Sequence, residues 1–373
     1  MNTEHSIVAL NRKVKAKMKT RLFYGLMLVT LSACNSIEEK KIATNEGTDT
    51  QNVTVSGEHH LQNLKQLTFG GQNAEAYFSY DGSELIFQST RQSLQCDAIF
   101  RMNTDGKNVR QISSGKGVTT CSFISPDNQS IIYASTHLAG ESCPPKPDHS
   151  QGYVWPLYDS YDIFKAAPDG SGLTQLTHNP GYDAEAVYSP KGDKIVFTSL
   201  RTGDLELFLM NSDGSGVEQI TSKPGYDGGA FFSRDGEWIV WRTSRPSGKA
   251  LQDYQALLGQ GLIRPGKLEI YIMHLGERKP IQLTNNGAAN FGPYWHPDGK
   301  HIIFSSNMND PKGRNFDLFL INIKTRETKQ ITHYNDFDGF PMFSHDGKKL
   351  VFASNRNGNV RGETNVFIAD WVW

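Results

Sequence analysis

The side chains best suited to chemistry are carboxylates that recur at the start of segments rich in β-branched and aromatic residues. They are Glu75, Asp183, Glu185, Asp227 and Asp338. If these segments converge, the five carboxylates line a common funnel and could hold a hard cation such as Ca²⁺ or a basic group of a partner. The plainer alternative is a ring of polar side chains that solvates a wet channel. The sequence leaves both alternatives open. It therefore establishes no cofactor, and Ca²⁺ is the candidate that the carboxylates suggest.

A second set is aromatic and lies in a long segment between two predicted strands, residues 137–161. Tyr153, Trp155 and Tyr158 stand there among charged residues. Amphipathic aromatic side chains are common anchors at interfaces and also stack on sugar rings. We therefore predict that this segment forms an apolar wall beside the acidic funnel. The alternative is that the long loops simply plug the channel.

Three cysteines besides Cys34 could be linked to one another, namely Cys96, Cys121 and Cys143. An exported protein can form disulfides, and an odd number of cysteines leaves one thiol free. We expect one disulfide among the three, with Cys121 as its favoured member because it lies between the loops that carry the other two. A zinc site is less favoured because no CxxC or HxxxH spacing is present.

Motifs of the common catalytic sites are missing from the sequence. There is no GxSxG elbow, no HExxH and no glycine-rich phosphate loop. His137, His149 and His296 are too scattered in sequence to define a metal site. We therefore expect no catalysis, and we keep as the alternative a metal-dependent lyase or hydrolase that acts on a polysaccharide or peptide in the funnel.

The N-terminus has the organisation of an export signal. A basic stretch ends at Arg21, an apolar run follows, and Leu31-Ser32-Ala33-Cys34 resembles the lipobox of bacterial lipoproteins, which implies lipidation of Cys34. We assign residues 1–33 to the signal peptide, 34–57 to a polar, flexible tether and 58–373 to the folded domain. The protein should be lipid-anchored in the cell envelope, in the periplasm or at the outer membrane.

The charge of the mature chain argues against nucleic acid as a partner. The whole chain carries 38 Lys or Arg and 39 Asp or Glu. Residues 1–33 contain six of the basic and one of the acidic side chains, which leaves 32 against 38 and a net charge of −6. An acidic protein of this kind lacks the basic surface that binds phosphates. We expect a monomer.

Six internal repeats determine the predicted fold. The first turn of each repeat lies at Ser79–Gly82, Ser125–Asn128, Ser189–Gly192, Ser233–Gly236, His296–Gly299 and Ser344–Gly347. A closing Gln-Leu-Thr or its equivalent ends at Thr68, Ser113, Thr177, Thr221, Thr284 and Thr332. Four-stranded repeats of this length must stack to bury both faces. The pattern predicts an all-β, six-bladed β-propeller of antiparallel blades, in which an N-terminal strand completes the last blade and closes the ring.

The Ser-Pro-Asp-Gly turns, the third strands of the Asp-Ile-Phe type and the closing Gln-Leu-Thr resemble the WD40-like repeats of TolB-type propellers. The resemblance covers residues 61–373 and implies a protein of the cell envelope. TolB proper carries an α/β domain before its propeller, whereas only a short tether precedes the first strand here, so we do not carry over its role in the Tol system. Oligogalacturonate lyase and the prolyl-oligopeptidase peptidases contain similar blades.

Long loops mark the predicted functional face. They follow the second strand in three blades and lie on one face, which we call the top: residues 137–161, 243–267 and 307–316. The second of these loops should contain a short amphipathic helix. Arginines after the second strands, such as Arg201, should pair with carboxylates that open the third strands, such as Glu206, as structural contacts. The sequence thus predicts a protein, peptide or glycan partner bound at the top face.

Overall fold

The computed structural model describes residues 53–91, 93–150, 152–311 and 313–373. The predicted signal peptide, Cys34 and the predicted tether up to residue 52 lie outside the described residues. Within the described ranges, no helix is long and apolar enough to cross a membrane. Residues 50–373 form one compact unit.

The described chain forms six four-stranded antiparallel sheets arranged as propeller blades. The strands before blade 3 are β1 (Leu61–Gln66), β2 (Gln72–Phe78), β3 (Glu84–Thr90), β4 (Ala98–Asn103), β5 (Arg110–Gln111), β6 (Thr119–Ile124), β7 (Ile131–Ser135), β8 (Trp155–Pro156), β9 (Asp162–Ala166) and β10 (Thr174–Gln175). Blades 3 and 4 contain β11 (Asp183–Tyr188), β12 (Lys194–Ser199), β13 (Glu206–Asn211), β14 (Glu218–Gln219), β15 (Asp227–Phe232), β16 (Trp238–Thr243), α1 (Lys249–Leu258), β17 (Leu262–Ile263), β18 (Glu269–His274) and β19 (Lys279–Gln282). Blades 5 and 6 contain β20 (Asn290–Trp295), β21 (His301–Ser306), β22 (Asp317–Asn322), β23 (Thr328–Gln330), β24 (Asp338–Phe343), β25 (Lys349–Ser354) and β26 (Asn365–Trp371). The predicted all-β propeller is confirmed.

The closing Gln-Leu-Thr motif recurs because its last hydroxyl fixes the third strand of its blade. The Thr177 Oγ1 accepts a hydrogen bond from the Ile163 N–H at 2.9 Å, and Thr221 does the same for Leu207 at 2.8 Å. The equivalent hydroxyl bonds occur in the other four blades. This bond gives a partner to a buried backbone N–H of the third strand that the short fourth strand would otherwise leave unpaired.

The chain closes the ring through its N-terminal segment. Strand β1 pairs antiparallel with β26, so the first strand of the sequence is the outer strand of the last blade. Ahead of it, the buried Glu58 carboxylate accepts hydrogen bonds from both Nη atoms of Arg356, at 3.0 and 2.9 Å. Arg356 also donates to the Val53 carbonyl at 3.1 Å. Blade 6 is therefore held by both ends of the domain.

The first strand of every blade contains a bulge that turns one residue toward the channel. In each of these strands the register shifts by one residue, as between Ala184 and Val187 in β11. The residue at the bulge has a positive φ in all six blades, and the six are Glu75, Cys121, Glu185, Gly229, Gly292 and Phe340. Non-glycine residues with positive φ are uncommon, and four of these six are not glycine. Their equivalent positions therefore mark a structural feature that every blade repeats.

Candidate functional site at the top of the channel

The channel is divided into a polar upper part and an aromatic lower part. The six bulge residues surround its narrow waist together with Arg242. Two residues further along each first strand lie the side chains of the next layer, which are Tyr77, Phe123, Val187, Phe231, Tyr294 and Met342. Rings in this layer contact one another, with centroids 5.5 Å apart for Tyr77 and Phe231 and 5.2 Å apart for Phe231 and Tyr294. Ionisable groups are thus concentrated above the aromatic layer.

An ion pair between neighbouring blades occupies the waist. Arg242 on β16 binds the Glu185 carboxylate of the preceding blade. The same carboxylate accepts hydrogen bonds from the Thr198 hydroxyl at 2.7 Å and the Gly229 N–H at 2.9 Å. A side chain at Gly229 would collide with the Arg242 guanidinium. Glycine at this bulge is therefore what lets an arginine enter the channel.

Glu75 is the carboxyl in the waist whose charge is least compensated. Burial and, to a smaller extent, the negative charge of Glu185 raise its pKa to about 7, although the positive charge of Arg242 opposes this rise. Burial likewise raises the pKa of the neighbouring Cys121 thiol well above its ordinary value, which keeps that thiol protonated. The waist therefore changes charge near neutral pH through Glu75.

The long loops of blades 2 and 4 meet above the waist. Strand β8 in the blade 2 loop pairs antiparallel with β17 in the blade 4 loop, so Trp155 lies opposite Ile263. The Arg242 guanidinium stacks over the Trp155 ring at 5.5 Å from its centroid. The Trp155 Nε1 donates to the hydroxyl of Tyr153 at 3.0 Å. Trp155 and the Glu185 carboxylate therefore contact the same guanidinium, that of Arg242.

Helix α1 anchors this loop pair to the blade 3 side of the channel mouth. Its Tyr254 hydroxyl donates to the Asp204 carboxylate, and Tyr254 and Leu258 pack against a buried cluster that includes Leu157, Leu205 and Tyr226. The predicted short amphipathic helix in the blade 4 loop is confirmed. Packed in this way, the loop pair forms a structured cap over the channel.

Three of the predicted funnel carboxylates lie inside the blades instead of at the channel surface. Asp183 and Asp227 are 1% and 0% exposed and pair with Arg201 at 3.0 Å and Arg245 at 2.7 Å. Asp338 is equally buried against Arg356. The partners that we expected for these arginines, the carboxylates that open the third strands, were wrong, because the arginines pair with carboxylates of the first strands instead. Arginine and first-strand Asp together cap the top of each of these blades.

Known proteins show which propellers this chain is similar to. No family model matches it. A TolB homologue from Chlorobium luteolum is 21% identical over 152 residues, which are 35% of this chain and 34% of that protein, so the chain spans about a third of the length of this curated relative. A protein assigned as TolB from Agrobacterium tumefaciens has the same fold, with a TM-score of 0.55 and 16% identity over 81% of this chain and 91% of that one. TolB from Acinetobacter baumannii gives a TM-score of 0.54 and 19% identity over 81% of this chain and 64% of that one. The chain is TolB-like in fold, a six-bladed β-propeller similar to those of these proteins.

In this TolB-like propeller the predicted disulfide joins Cys96 and Cys143, whose Cα atoms are 5.9 Å apart. The expectation that Cys121 takes part was wrong, because its bulge turns the thiol into the channel waist, away from the loops that carry the other two.

The TolB-like propeller brings some predicted binding residues together and separates others. Trp155 and Tyr153 lie at the mouth, and Glu75 and Glu185 lie below them in the waist. Tyr158 points elsewhere, since its hydroxyl donates to the Pro145 carbonyl at 2.7 Å. Among the described residues no three His, Cys, Asp or Glu side chains are grouped so as to hold a metal ion. Binding by any of these residues, and a Ca²⁺ ion in the funnel, stay predictions.

Arg242 is the waist residue that the sequence analysis missed. Arg242 pairs with Gly228 of the neighbouring strand. The position equivalent to Arg242 is occupied by Thr198 in blade 3 and by Gln88 in blade 1. The signal would have been two consecutive glycines facing an arginine, since blades 1, 2 and 3 have side chains at both places and blades 5 and 6 at one of them.

Proposed function

We propose that this TolB-like propeller is a non-catalytic, lipid-anchored protein of the cell envelope that binds a protein, peptide or glycan partner through its top face. The anchor is the predicted lipid on Cys34, and the envelope location follows from the export signal and from the likeness to TolB proteins.

The observation that carries the proposal is the cap that the blade 2 and blade 4 loops build over the channel mouth. It holds Tyr153 with 60% of its surface exposed, beside the half-buried Trp155. Three more of the most exposed large hydrophobic side chains stand in loops of the same face, namely Phe69, Leu138 and Val360. Exposed aromatic and apolar side chains on one face of a rigid scaffold are typical of a binding surface.

Buried ion pairs restrict where on that face a partner can bind. Asp183, Asp227 and Asp338 are neutralised inside their blades, so contact with them would require breaking a buried pair. Tyr153, Trp155 and the rim of the cap need no such rearrangement. The partner is therefore expected to contact the aromatic residues first, with the Glu185–Arg242 pair beneath them.

Capture of binding partners from the native envelope by full-length protein tests this proposal. Tyr153→Ala should reduce recovery of the specific partner at least tenfold, since a central interface tyrosine contributes 2 kcal/mol or more when it is a hot spot. Lys191→Ala, an exposed change on the opposite face, should leave recovery unchanged. Loss of the partner with Lys191→Ala but not with Tyr153→Ala would show that the functional face is the other one.

A further inference from the structure

A cavity lies at the bottom of the channel, on the face opposite the loop cap. Its volume is about 330 Å³, which is at the lower end of small-molecule binding pockets. The first-turn loops surround its opening, and Tyr80, Pro190, Arg234, Pro297 and His345 stand at their second positions. The repeat therefore builds a second concave site that is separate from the proposed partner surface.

The aromatic layer of the channel closes the inner end of this cavity. Phe123 and Tyr294 line it from above, and both contact rings at the waist side: Tyr77 lies 5.8 Å from Phe123, and Phe231 lies 5.2 Å from Tyr294. The Glu75 and Glu185 carboxylates lie on the other side of that layer. The cavity is thus a blind pocket with an aromatic end.

Its lining contains one permanently charged side chain. Arg234 is exposed at the rim and, within the part of the chain that the structure describes, forms no ion pair or side-chain hydrogen bond. No carboxylate is among the lining residues. The turn carboxylates Asp81, Asp235 and Asp346 each accept a hydrogen bond from the serine of their own turn.

A stacked aromatic pair forms one wall. The rings of Tyr80 and His345 are 3.8 Å apart at their centroids and tilted by 27°. Burial and the positive charge of Arg234 lower the pKa of His345 to about 4. The imidazole is therefore neutral at physiological pH, which leaves Arg234 as the cation of the pocket.

We propose that this pocket binds a small carboxylate with a flat apolar or aromatic body, the carboxylate on the Arg234 guanidinium and the body between the Tyr80–His345 wall and the Phe123–Tyr294 end. Such a group is supplied either by a free aromatic acid or by the C-terminal aromatic residue of a peptide. The inference goes beyond the proposed function and does not depend on it, because no top-face residue contributes to this pocket.

The test measures binding to the full chain carrying Cys34→Ala, which removes the predicted lipid without touching the propeller. Isothermal titration compares indole-3-propionate with its neutral amide, and the peptide Gly-Gly-Trp with its C-terminal amide. The free carboxylates should bind, and each amide should bind at least tenfold more weakly, as expected for loss of a charged hydrogen bond. Arg234→Gln should reproduce that loss, whereas Lys191→Gln in the neighbouring blade turn should change affinity less than twofold.

The outcomes separate the sources and decide the proposal. Binding of the free acid alone assigns a small-molecule site, and tighter binding of the peptide assigns a C-terminal peptide site. Either result supports the proposed binding site if Arg234→Gln weakens the binding. Equal binding of acid and amide, no effect of Arg234→Gln, or no binding of any probe at 5 mM, roughly the weakest affinity that a pocket of this size needs to be useful, would overturn it.

Discussion

Glu58 should be a main determinant of ring closure, and Glu58→Gln tests this. Its carboxylate is fully buried and receives four hydrogen bonds, two from Arg356 at 3.0 and 2.9 Å and one each from the Val55 and His333 N–H groups at 3.1 Å. Removing one partner of a buried pair typically costs about 3–5 kcal/mol. Asp338 still faces Arg356 at 2.7 Å, so we expect the lower end, about 3 kcal/mol. With an unfolding entropy near 2.1 cal/mol/K per residue and roughly 320 folded residues, the melting temperature should fall by about 4 °C.

Thermal unfolding followed by circular dichroism measures this shift, and Asp253→Asn is the matched control. Asp253 pairs with Lys249 on the exposed side of α1, and exposed pairs contribute less than about 1 kcal/mol. A melting temperature for Glu58→Gln within 1 °C of that of Asp253→Asn, on the order of the effect of a surface charge, would show that the segment before β1 does not hold the ring.

Three further predictions concern the anchor, the disulfide and the channel waist. Cys34→Ala should abolish palmitate labelling and release the protein from membranes, and labelling that persists in the variant would refute the lipobox. Peptide mapping without reduction should recover Cys96 linked to Cys143, with Cys121 alkylated only after denaturation. Removing that bond, which closes a span of 47 residues, should cost about 2–4 kcal/mol, and a Cys121-containing bridge would contradict the geometry. Because the pKa of Glu75 is raised to about 7, the unfolded chain loses this proton first, so the carboxyl destabilises the fold progressively as pH rises from about 4.5 to 7. Glu75→Gln should therefore gain about 1–2 kcal/mol over the wild type at pH 8 and nothing at pH 4, after allowance for its partial contact with solvent, and an equal gain at both pH values would refute the shift.

The fold could be predicted because each repeat carries several independent local signals. For blade 3 the sequence predicts strands at residues 185–188, 194–199, 205–210 and 217–221. The second is observed at the same residues, and the others differ by one or two residues at their ends. For the closing strand the sequence predicts residues 64–68, and the strand is observed at Leu61–Gln66. Turn residues and alternating hydrophobicity fix these elements locally, so no information about distant contacts is needed.

The site was harder to predict because it depends on contacts between blades. The direction in which Cys121 and Glu185 point is set by a bulge, which the composition of the strand does not reveal. Arg242 reaches the waist only because the adjacent blade 4 strand has Gly229. Asp227 looked like an exposed funnel residue and is instead buried against Arg245, a partner 18 residues away. Such ion pairs depend on how the strands pair in the folded blade, which the order of residues in the sequence does not show.

The central claim, that the partner binds the top face, is tested most directly by photo-crosslinking in living cells. A benzoylphenylalanine residue in place of Tyr153 should yield a discrete crosslinked product in the native envelope, and that product should disappear when the full chain also carries Trp155→Ala. The same probe in place of Lys191, on the bottom face, should yield no such product. A specific product from the Lys191 position together with none from Tyr153 would contradict the account.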